Sequence, residues 1–260
     1  MFERTHLNSF EDYFTTYKER TKHNVYFARI TMWSPKAEQM IERFAKETIQ
    51  WGVCIQDRIG NPEEKHLSYY EEIMGMSYQL SVPFFTEELK RWIPRVSEEK
   101  RIIIAESFYD IFNSLAHKGK NENMQKNAYI KYMCWLYYKF ERLLQNFSND
   151  KVPKLLYAGI PNEYEMLFLT VLSKTGCDIL LVAVQGEEAY LKQDQASEYS
   201  EHILLEGQKF PQQYSVLEVR KELIKRENAP KIQPPVTEKM INTNTWIQGN
   251  PYEDVKKSLK

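Results

Sequence analysis

Cysteine, net charge and long apolar runs are all scarce in this sequence, and each scarcity excludes a class of protein. Three widely separated cysteines, Cys54, Cys134 and Cys177, argue against a disulfide-stapled secreted domain and favour reduced, buried thiols. No apolar run approaches the roughly 18 residues of a membrane span. The first residues also lack the apolar core of a signal peptide. We therefore expect a soluble cytoplasmic protein with no membrane span.

Net charge is nearly absent because 35 lysine and arginine residues are balanced by 36 aspartate and glutamate residues. A chain so balanced gives no electrostatic reason to expect a nucleic-acid or anionic-membrane partner. Aromatic residues are plentiful instead, with 17 Tyr, 13 Phe and 5 Trp, which is not the composition of a disordered chain. At 260 residues, the chain is long enough for one large or two small domains with a real core.

The clearest structural unit is a strand–helix–strand pattern over residues 154–186. Residues 155–158 form a short apolar run that ends at Gly159, and Asn162 is a good N-cap for the apolar helical pattern that follows. Residues 179–184 are six consecutive apolar residues, which is typical of a buried strand. Because a helix joins the two strands, we expect them to lie parallel.

The rest of the chain is assigned more coarsely. Helices are predicted near residues 9–20, 34–45, 83–92, 97–117, 121–147 and 215–226, and strands near 24–33, 51–55 and 202–205. Three prolines mark residues 228–238 as an extended linker or docked arm. The sequence therefore predicts an α/β protein in which a helix-rich N-terminal half (1–150) leads into a Rossmann-like parallel βαβ region (151–227). The linker and the start of a possible further domain follow (228–260).

Ligands of parallel sheets usually lie at the carboxyl ends of the strands, which here are residues 159–162 and 185–188. The turn after the first strand opens a helix, and the amides of a helix N-terminus bind phosphate. The turn has a single glycine rather than a G-x-G-x-x-G pattern, and two glutamates in the first helical turn would repel an anion. Gly159 and Asn162 are therefore candidate ligand contacts, with a purely structural turn as the favoured alternative.

Two further groups are candidates for the same pocket. Glu187 and Glu188 follow the second strand, where an acidic residue binds ribose hydroxyls in dinucleotide-binding folds; two solvated surface acids explain them equally well. Asn123, Lys126 and Asn127 lie at the start of a long helix. Asparagines in such a place commonly cap the helix and tether the adjacent loop. The functional alternative is that these three side chains face the carboxyl edge of the sheet. Taken as one pocket, these residues predict a site for a nucleotide or nucleotide sugar.

No metal or catalytic signature stands out in the sequence. The five histidines lack a second ligand at the spacing that zinc sites use. No G-x-S-x-G, H-E-x-x-H or Walker lysine motif occurs. The sequence therefore predicts no metal site, names no cofactor and leaves open whether the protein is an enzyme.

Three stretches, residues 119–138, 152–185 and 243–246, resemble a bacterial family of YceG-like proteins. The second stretch reads VPKLLYAGIPNEYEMLFLTVLSKTGCDILLVAVQ, and the third reads TNTW. The chain is similar to the N-terminal portion of these proteins over roughly residues 90–250. The family is described as a component of a biosynthetic module, and its members are encoded beside TerD-type stress proteins of tellurite resistance.

The resemblance implies a role in a cytoplasmic tellurite and stress-resistance system, with TerD-type proteins as partners, and it implies no reaction. Two functions fit that role: a nucleotide- or nucleotide-sugar-binding biosynthetic protein, or a non-catalytic scaffold. A biosynthetic enzyme should cluster polar residues and a perturbed titratable group at the strand carboxyl ends. A scaffold should instead expose a large apolar patch.

Overall fold

The computed structural model describes residues 1–20, 23–60, 67–75, 77–145 and 151–228. Its strands, in chain order, are β1 (Glu3–Arg4), β2 (Asn24–Val25), β3 (Phe27–Ile30), β4 (Gly52–Gln56), β5 (Lys154–Ala158), β6 (Asp178–Val182) and β7 (Glu201–His202). The strands β1 and β2 form a small parallel pair, and the other five form one sheet in the order β4-β5-β6-β3-β7. Every pair in that sheet is parallel. The predicted α/β class is confirmed.

The α-helices, in chain order, are α1 (Pro35–Trp51), α2 (Leu67–Met74), α3 (Val82–Trp92), α4 (Glu98–His117), α5 (Glu122–Trp135), α6 (Glu141–Gln145), α7 (Glu163–Lys174), α8 (Glu187–Leu191) and α9 (Val216–Asn228). The helix predicted near residues 9–20 is a shorter 3-10 helix, Phe10–Phe14. A π-helical segment, Leu136–Phe140, joins α5 to α6, so the long helix predicted over residues 121–147 has a π-helical stretch in its middle. Ser34 caps α1 by accepting a hydrogen bond from the amide of Ala37, which confirms the predicted start.

The predicted parallel pair is the centre of the sheet. Leu156 of β5 lies opposite Leu180 of β6, and Tyr157 lies opposite Leu181. The strand order then places β4 on the outer side of β5 and β3 on the outer side of β6. These strands read as continuous apolar runs because both faces of the sheet are covered by helices.

Alternate strand residues point to opposite faces, and each face has its own core. On one face, Leu156, Leu180 and Val182 pack with the buried stripe of α1 and with Val216 of α9. On the other face, the odd-numbered residues of β5 and β6, which include Tyr157 and Leu181, pack with the helices α2 to α7. The molecule is therefore layered, with the sheet between α1 and α9 on one side and a helical bundle on the other.

The order of the strands fixes where the chain changes direction. The strand β3 continues through α1 to β4 at one edge of the sheet, whereas β6 continues past α8 to β7 at the other edge. The connection after β3 carries α1 on one face and runs past β6, whereas the connection after β6 carries α8 on the other face and runs past β3. The two connections therefore leave neighbouring strands on opposite faces, which makes a topological switch point between β3 and β6. In parallel sheets this point, at the carboxyl ends of the strands, is the usual place for a ligand.

Residues from both predicted regions, 1–150 and 151–227, contribute strands to this single sheet. Residues Met1–Glu227 form one compact unit. Apart from Asn228 itself, the predicted linker and the possible helix beyond it lie outside the described residues. Within the described part of the chain, no helix has the length and apolarity needed to cross a membrane.

Candidate functional site

The turn after β5 is shaped by Gly159. Its φ angle is +129°, in the region that favours glycine. A Cβ atom at this position would lie 3.1 Å from the Cα and 3.2 Å from the carbonyl oxygen of Asp57. The turn therefore packs directly against the loop that follows β4, and packing alone accounts for the glycine.

Asn162 caps α7 in a reciprocal arrangement with Glu165. The Asn162 side chain accepts from the Glu165 amide at 3.0 Å, and the Glu165 carboxylate accepts from the Asn162 amide at 3.0 Å. The same carboxylate accepts from the amide of Ile59 at 2.7 Å and lies 2.7 Å from the guanidinium of Arg58. A buried carboxylate thus stands at the start of α7, which disfavours phosphate there.

The helix α5 passes close to the start of α7. Tyr132 of α5 donates a hydrogen bond from its hydroxyl to the carbonyl oxygen of Tyr164, at 2.8 Å. Beside this contact lies a cavity of about 220 Å³. Its lining residues are Met124, Asn127, Ala128, Lys131 and Tyr164. The structure therefore brings Asn127 to the first turn of the helix that Asn162 caps.

The other two candidates on this helix have separate surroundings. Asn123 is exposed and Lys126 is half-buried. Asn121, rather than Asn123, caps α5 by accepting from the amide of Met124 at 3.0 Å. Lys131, which was not among the residues predicted from the sequence, lines the cavity one turn beyond Asn127. Its place in the helical repeat, four residues after Asn127, is the signal that could have identified it.

Glu187 forms an ion pair with a buried arginine. Its carboxylate accepts from Nε of Arg29 at 3.0 Å and from Nη2 at 2.5 Å. The Arg29 guanidinium also lies 4.2 Å from the ring centroid of Tyr190 and donates to the carbonyl oxygen of Ser200. The hydrogen bond from Arg29 lowers the pKa of Glu187. The adjacent Glu188 is exposed.

Two further polar side chains adjoin Glu187. The Nδ1 atom of His202 lies 3.5 Å from Oε1 of Glu187, and its Nε2 atom lies 2.8 Å from Oγ1 of Thr31. Burial lowers the pKa of His202, and the Glu187 carboxylate opposes that shift. Because the pKa falls below the ordinary value near 6.5, the imidazole is mainly neutral at neutral pH.

This cluster occupies the position where a parallel sheet usually binds its ligand. Thr31 directly follows β3, and His202 lies beside Arg29 in the register of β3 with β7. Glu187 begins α8, which follows β6. The cluster therefore gathers residues at the carboxyl ends of β3, β6 and β7, next to the switch point. Of these residues, only Glu187 was predicted from the sequence as a site residue.

A second polar cluster lies at the opposite, amino edge of the sheet. Asp178, at the start of β6, accepts from both terminal nitrogens of Arg20 at 2.9 and 2.7 Å and from Nζ of Lys154 at 2.6 Å. It also accepts from the amide of Tyr26 at 2.9 Å. The Asp178 side chain is fully buried, with its two cationic partners almost so. This cluster ties the segment before β3 to the sheet, on the side away from ligand sites.

Among the described residues, no group of three histidine, cysteine, aspartate or glutamate side chains is arranged to hold a metal ion. The cysteines also carry no nucleophile signature, because burial raises the pKa of Cys54, and raises that of Cys134 to about 11. Thiols with raised pKa values are poor nucleophiles at neutral pH. The two carboxyl-edge features, the α5–α7 cavity and the Glu187 cluster, are therefore the candidate sites.

A protein-family model described as the YceG domain matches residues 5–231 of the chain. That span includes the whole five-stranded sheet, the α5–α7 cavity and the Glu187 cluster. No curated protein and no solved structure matches the chain.

Proposed function

This chain belongs to the YceG domain family, and we propose that it binds a nucleotide-class small molecule at the carboxyl edge of its parallel sheet. We further propose a cytoplasmic role for it in a tellurite and stress-resistance system, with TerD-type proteins as partners, in keeping with the resemblance to YceG-like proteins. The observation that carries the binding proposal is the cavity that Asn127 and Lys131 of α5 form with Tyr164 of α7.

The lining of the α5–α7 cavity offers three contacts that suit a nucleotide. The Tyr164 ring supplies a surface on which a base stacks. The Asn127 amide has both a donor and an acceptor for a base edge. The Lys131 ammonium is a point charge for phosphate. At about 220 Å³, the cavity is below the size of typical drug-sized sites, so it takes a base or a sugar ring with the rest of the ligand outside.

Calorimetric titration with ATP and with UDP-glucose tests the binding proposal. The unaltered chain should bind at least one of them, and Lys131→Ala should weaken that affinity by about tenfold or more, because it removes a charged hydrogen-bond donor. Asn127→Ala should weaken it less. Lys221→Ala is the matched control, since this exposed lysine pairs with Glu218 on α9. Absence of binding by any nucleotide, or equal affinity in all variants, would overturn the proposal.

The cellular role requires a separate test. A strain that lacks the gene should become more sensitive to tellurite, and the unaltered gene should restore resistance. A gene that encodes Lys131→Ala should restore it incompletely if ligand binding supports the role. If the deletion leaves tellurite resistance unchanged, the stress-system part of the proposal is wrong. Nucleotide binding would then still be decided by the calorimetric titration.

The alternative function, a non-catalytic scaffold, needs a contiguous exposed apolar surface. The large apolar side chains that are exposed in the described part of the chain are Met1, Met74, Ile102, Tyr109, Met124, Tyr137, Leu204 and Leu217. Of these, Ile102 and Tyr109 share the helix α4, Met1 and Leu204 lie outside the helices and strands, and the rest come from different helical segments. The cavity therefore supports ligand binding better than these side chains support a docking surface.

A further inference from the structure

The cluster around Glu187 contains a hydroxyl, an imidazole and a carboxylate in sequence. Oγ1 of Thr31 lies 2.8 Å from Nε2 of His202, within hydrogen-bond distance. Nδ1 of the same ring faces Oε1 of Glu187 at 3.5 Å. We propose that this Thr31–His202–Glu187 array is a nucleophilic catalytic site that takes acyl groups from activated esters. The proposal goes beyond nucleotide binding and does not depend on it.

The order of the three groups matches the logic of a hydroxyl nucleophile. Such a nucleophile is activated by a base within hydrogen-bond reach, and the base is oriented by a third group. Thr31 is the nucleophile, His202 the general base and Glu187 the positioning residue. The longer distance between His202 and Glu187 fits a resting enzyme, because catalytic hydrogen bonds often shorten when substrate binds.

Glu187 is itself held in place and kept ionised. Its two contacts with Arg29 fix both carboxylate oxygens, which is the geometry of a strong two-point ion pair. A fixed carboxylate 3.5 Å from Nδ1 of His202 favours the tautomer with its proton on that atom, which leaves the lone pair of Nε2 directed at the Thr31 hydroxyl. Arg29 is held in turn by Ser200 and Ser197. The surrounding residues therefore select the tautomer that can act as a base.

The array lies where a substrate can arrive. Thr31 is at the strand–turn–helix junction between β3 and α1, beside the switch point. The residue is 3% exposed, whereas the side chains of His202 and Glu187 are 24% and 27% exposed. A substrate therefore reaches the hydroxyl from the side of the imidazole, where the array opens to solvent.

With p-nitrophenyl acetate, the proposed reaction proceeds in two balanced steps. Oγ1 of Thr31 bonds to the acetyl carbon while its proton passes to Nε2 of His202, and the carbon–oxygen bond to p-nitrophenolate then breaks. The nitrophenolate leaves, and the imidazolium loses its proton to solvent. In the second step, water attacks the acetyl-threonine with His202 again as base. Acetate is released, and the Thr31 hydroxyl is restored.

The experiment measures nitrophenolate release and maps acetylated peptides by mass spectrometry on the full chain. We expect acetylation at Thr31, none at that position in Thr31→Val, and release about 100-fold slower in His202→Gln, the usual size of a lost general base. Thr170→Val is the matched control, because that hydroxyl donates to the carbonyl oxygen of Met166 within its own helix.

A pH profile separates catalysis from a structural role. The rate should rise as His202 loses its proton, and Glu187→Gln should move the midpoint to lower pH because the carboxylate raises the pKa of that imidazole. Circular dichroism establishes that each variant is folded; if Thr31→Val does not fold, peptide mapping of the unaltered chain and of His202→Gln decides. No acetyl group on Thr31, or equal labelling in His202→Gln, would overturn the proposal and would leave nucleotide binding untouched.

Discussion

Arg29 of β3 and Glu187 of α8 form a two-point ion pair, 3.0 Å from Nε to Oε2 and 2.5 Å from Nη2 to Oε1. Arg29 is 2% exposed, so its charge has been removed from water. A charge in such a place is tolerated when it is paired and hydrogen-bonded. The pair therefore attaches the connection after β6 to the neighbouring strand, on the side where the candidate catalytic array lies.

Glu187→Ala should destabilise the protein by about 2 kcal/mol, because it leaves part of a buried guanidinium without its acceptor. The neighbouring Glu188→Ala is the matched control and should change stability by no more than about 0.5 kcal/mol, as expected for an exposed residue. Urea denaturation of both variants measures the difference. Equal losses in the two variants would mean that the ion pair contributes nothing to stability.

The same ion pair predicts a loss of stability in acid. The hydrogen bond from Arg29 lowers the pKa of Glu187 in the folded state, so the unfolded chain binds this proton more readily. The contribution of the ion pair to the free energy of unfolding is therefore complete above the ordinary glutamate pKa of about 4.3. It is lost as the pH falls through the lower pKa that Glu187 has in the folded state. Urea denaturation of the unaltered chain and of Glu187→Gln should show a gap that is largest near neutrality and closes in acid. A gap that stays constant across the series would contradict this origin.

Gly159→Ala should destabilise the protein by about 2 kcal/mol, since two separate costs apply there. The φ of +129° is unfavourable for a residue with a Cβ atom, and that atom would lie 3.1 Å from the backbone of Asp57. Gly119→Ala is the control that isolates the first cost. Its φ is +81°, and nothing lies within 4 Å of the added Cβ, so about 1 kcal/mol is expected. Thermal unfolding measures the stability that each of the two variants loses. Equal losses would show that the close approach of Asp57 to the added Cβ atom costs no free energy.

The β5–α7–β6 unit could be predicted because local pattern and tertiary environment agree there. Residues 179–184 are apolar throughout because both faces of the sheet are covered, and Asn162 signals the helix start by its own chemistry. Gly159 was recognisable as a turn residue because it ends the apolar run of residues 155–158. Local pattern therefore fixed the element types and the parallel pairing without any long-range information.

The candidate catalytic array could not be predicted in the same way. Thr31 and His202 are 171 residues apart, and neither belongs to a local motif. Arg29 lies within an apolar, aromatic stretch that predicts a strand and gives no reason to expect a buried charge. These residues meet because β7 pairs with β3, and the strand order depends on packing across the whole sheet. Glu187 could be predicted as a site residue from its position after β6, but that position indicates a ribose hydroxyl and gives no sign of its arginine partner.

Asp178→Asn should be the most destabilising of these changes, by about 3 to 5 kcal/mol, because the side chain neutralises two buried cations at once. Arg20 lies 2.7 Å and Lys154 lies 2.6 Å from the same carboxylate oxygen. Asp110→Asn is the matched control, since that carboxylate is 62% exposed and 3.8 Å from Lys174; a loss under about 1 kcal/mol is expected there.

A double-variant cycle separates the lost ion pair from other effects of the Asp178 change. Lys154→Met removes one of the two cations, so Asp178→Asn should cost less in that background than in the unaltered chain. Urea denaturation of the four proteins gives the coupling free energy. Because Lys154 and Asp178 begin adjacent strands in register, the coupling should be at least about 1 kcal/mol, as for groups in one hydrogen-bonded network. Strict additivity would show that the two side chains stabilise β5 and β6 independently, despite their contact.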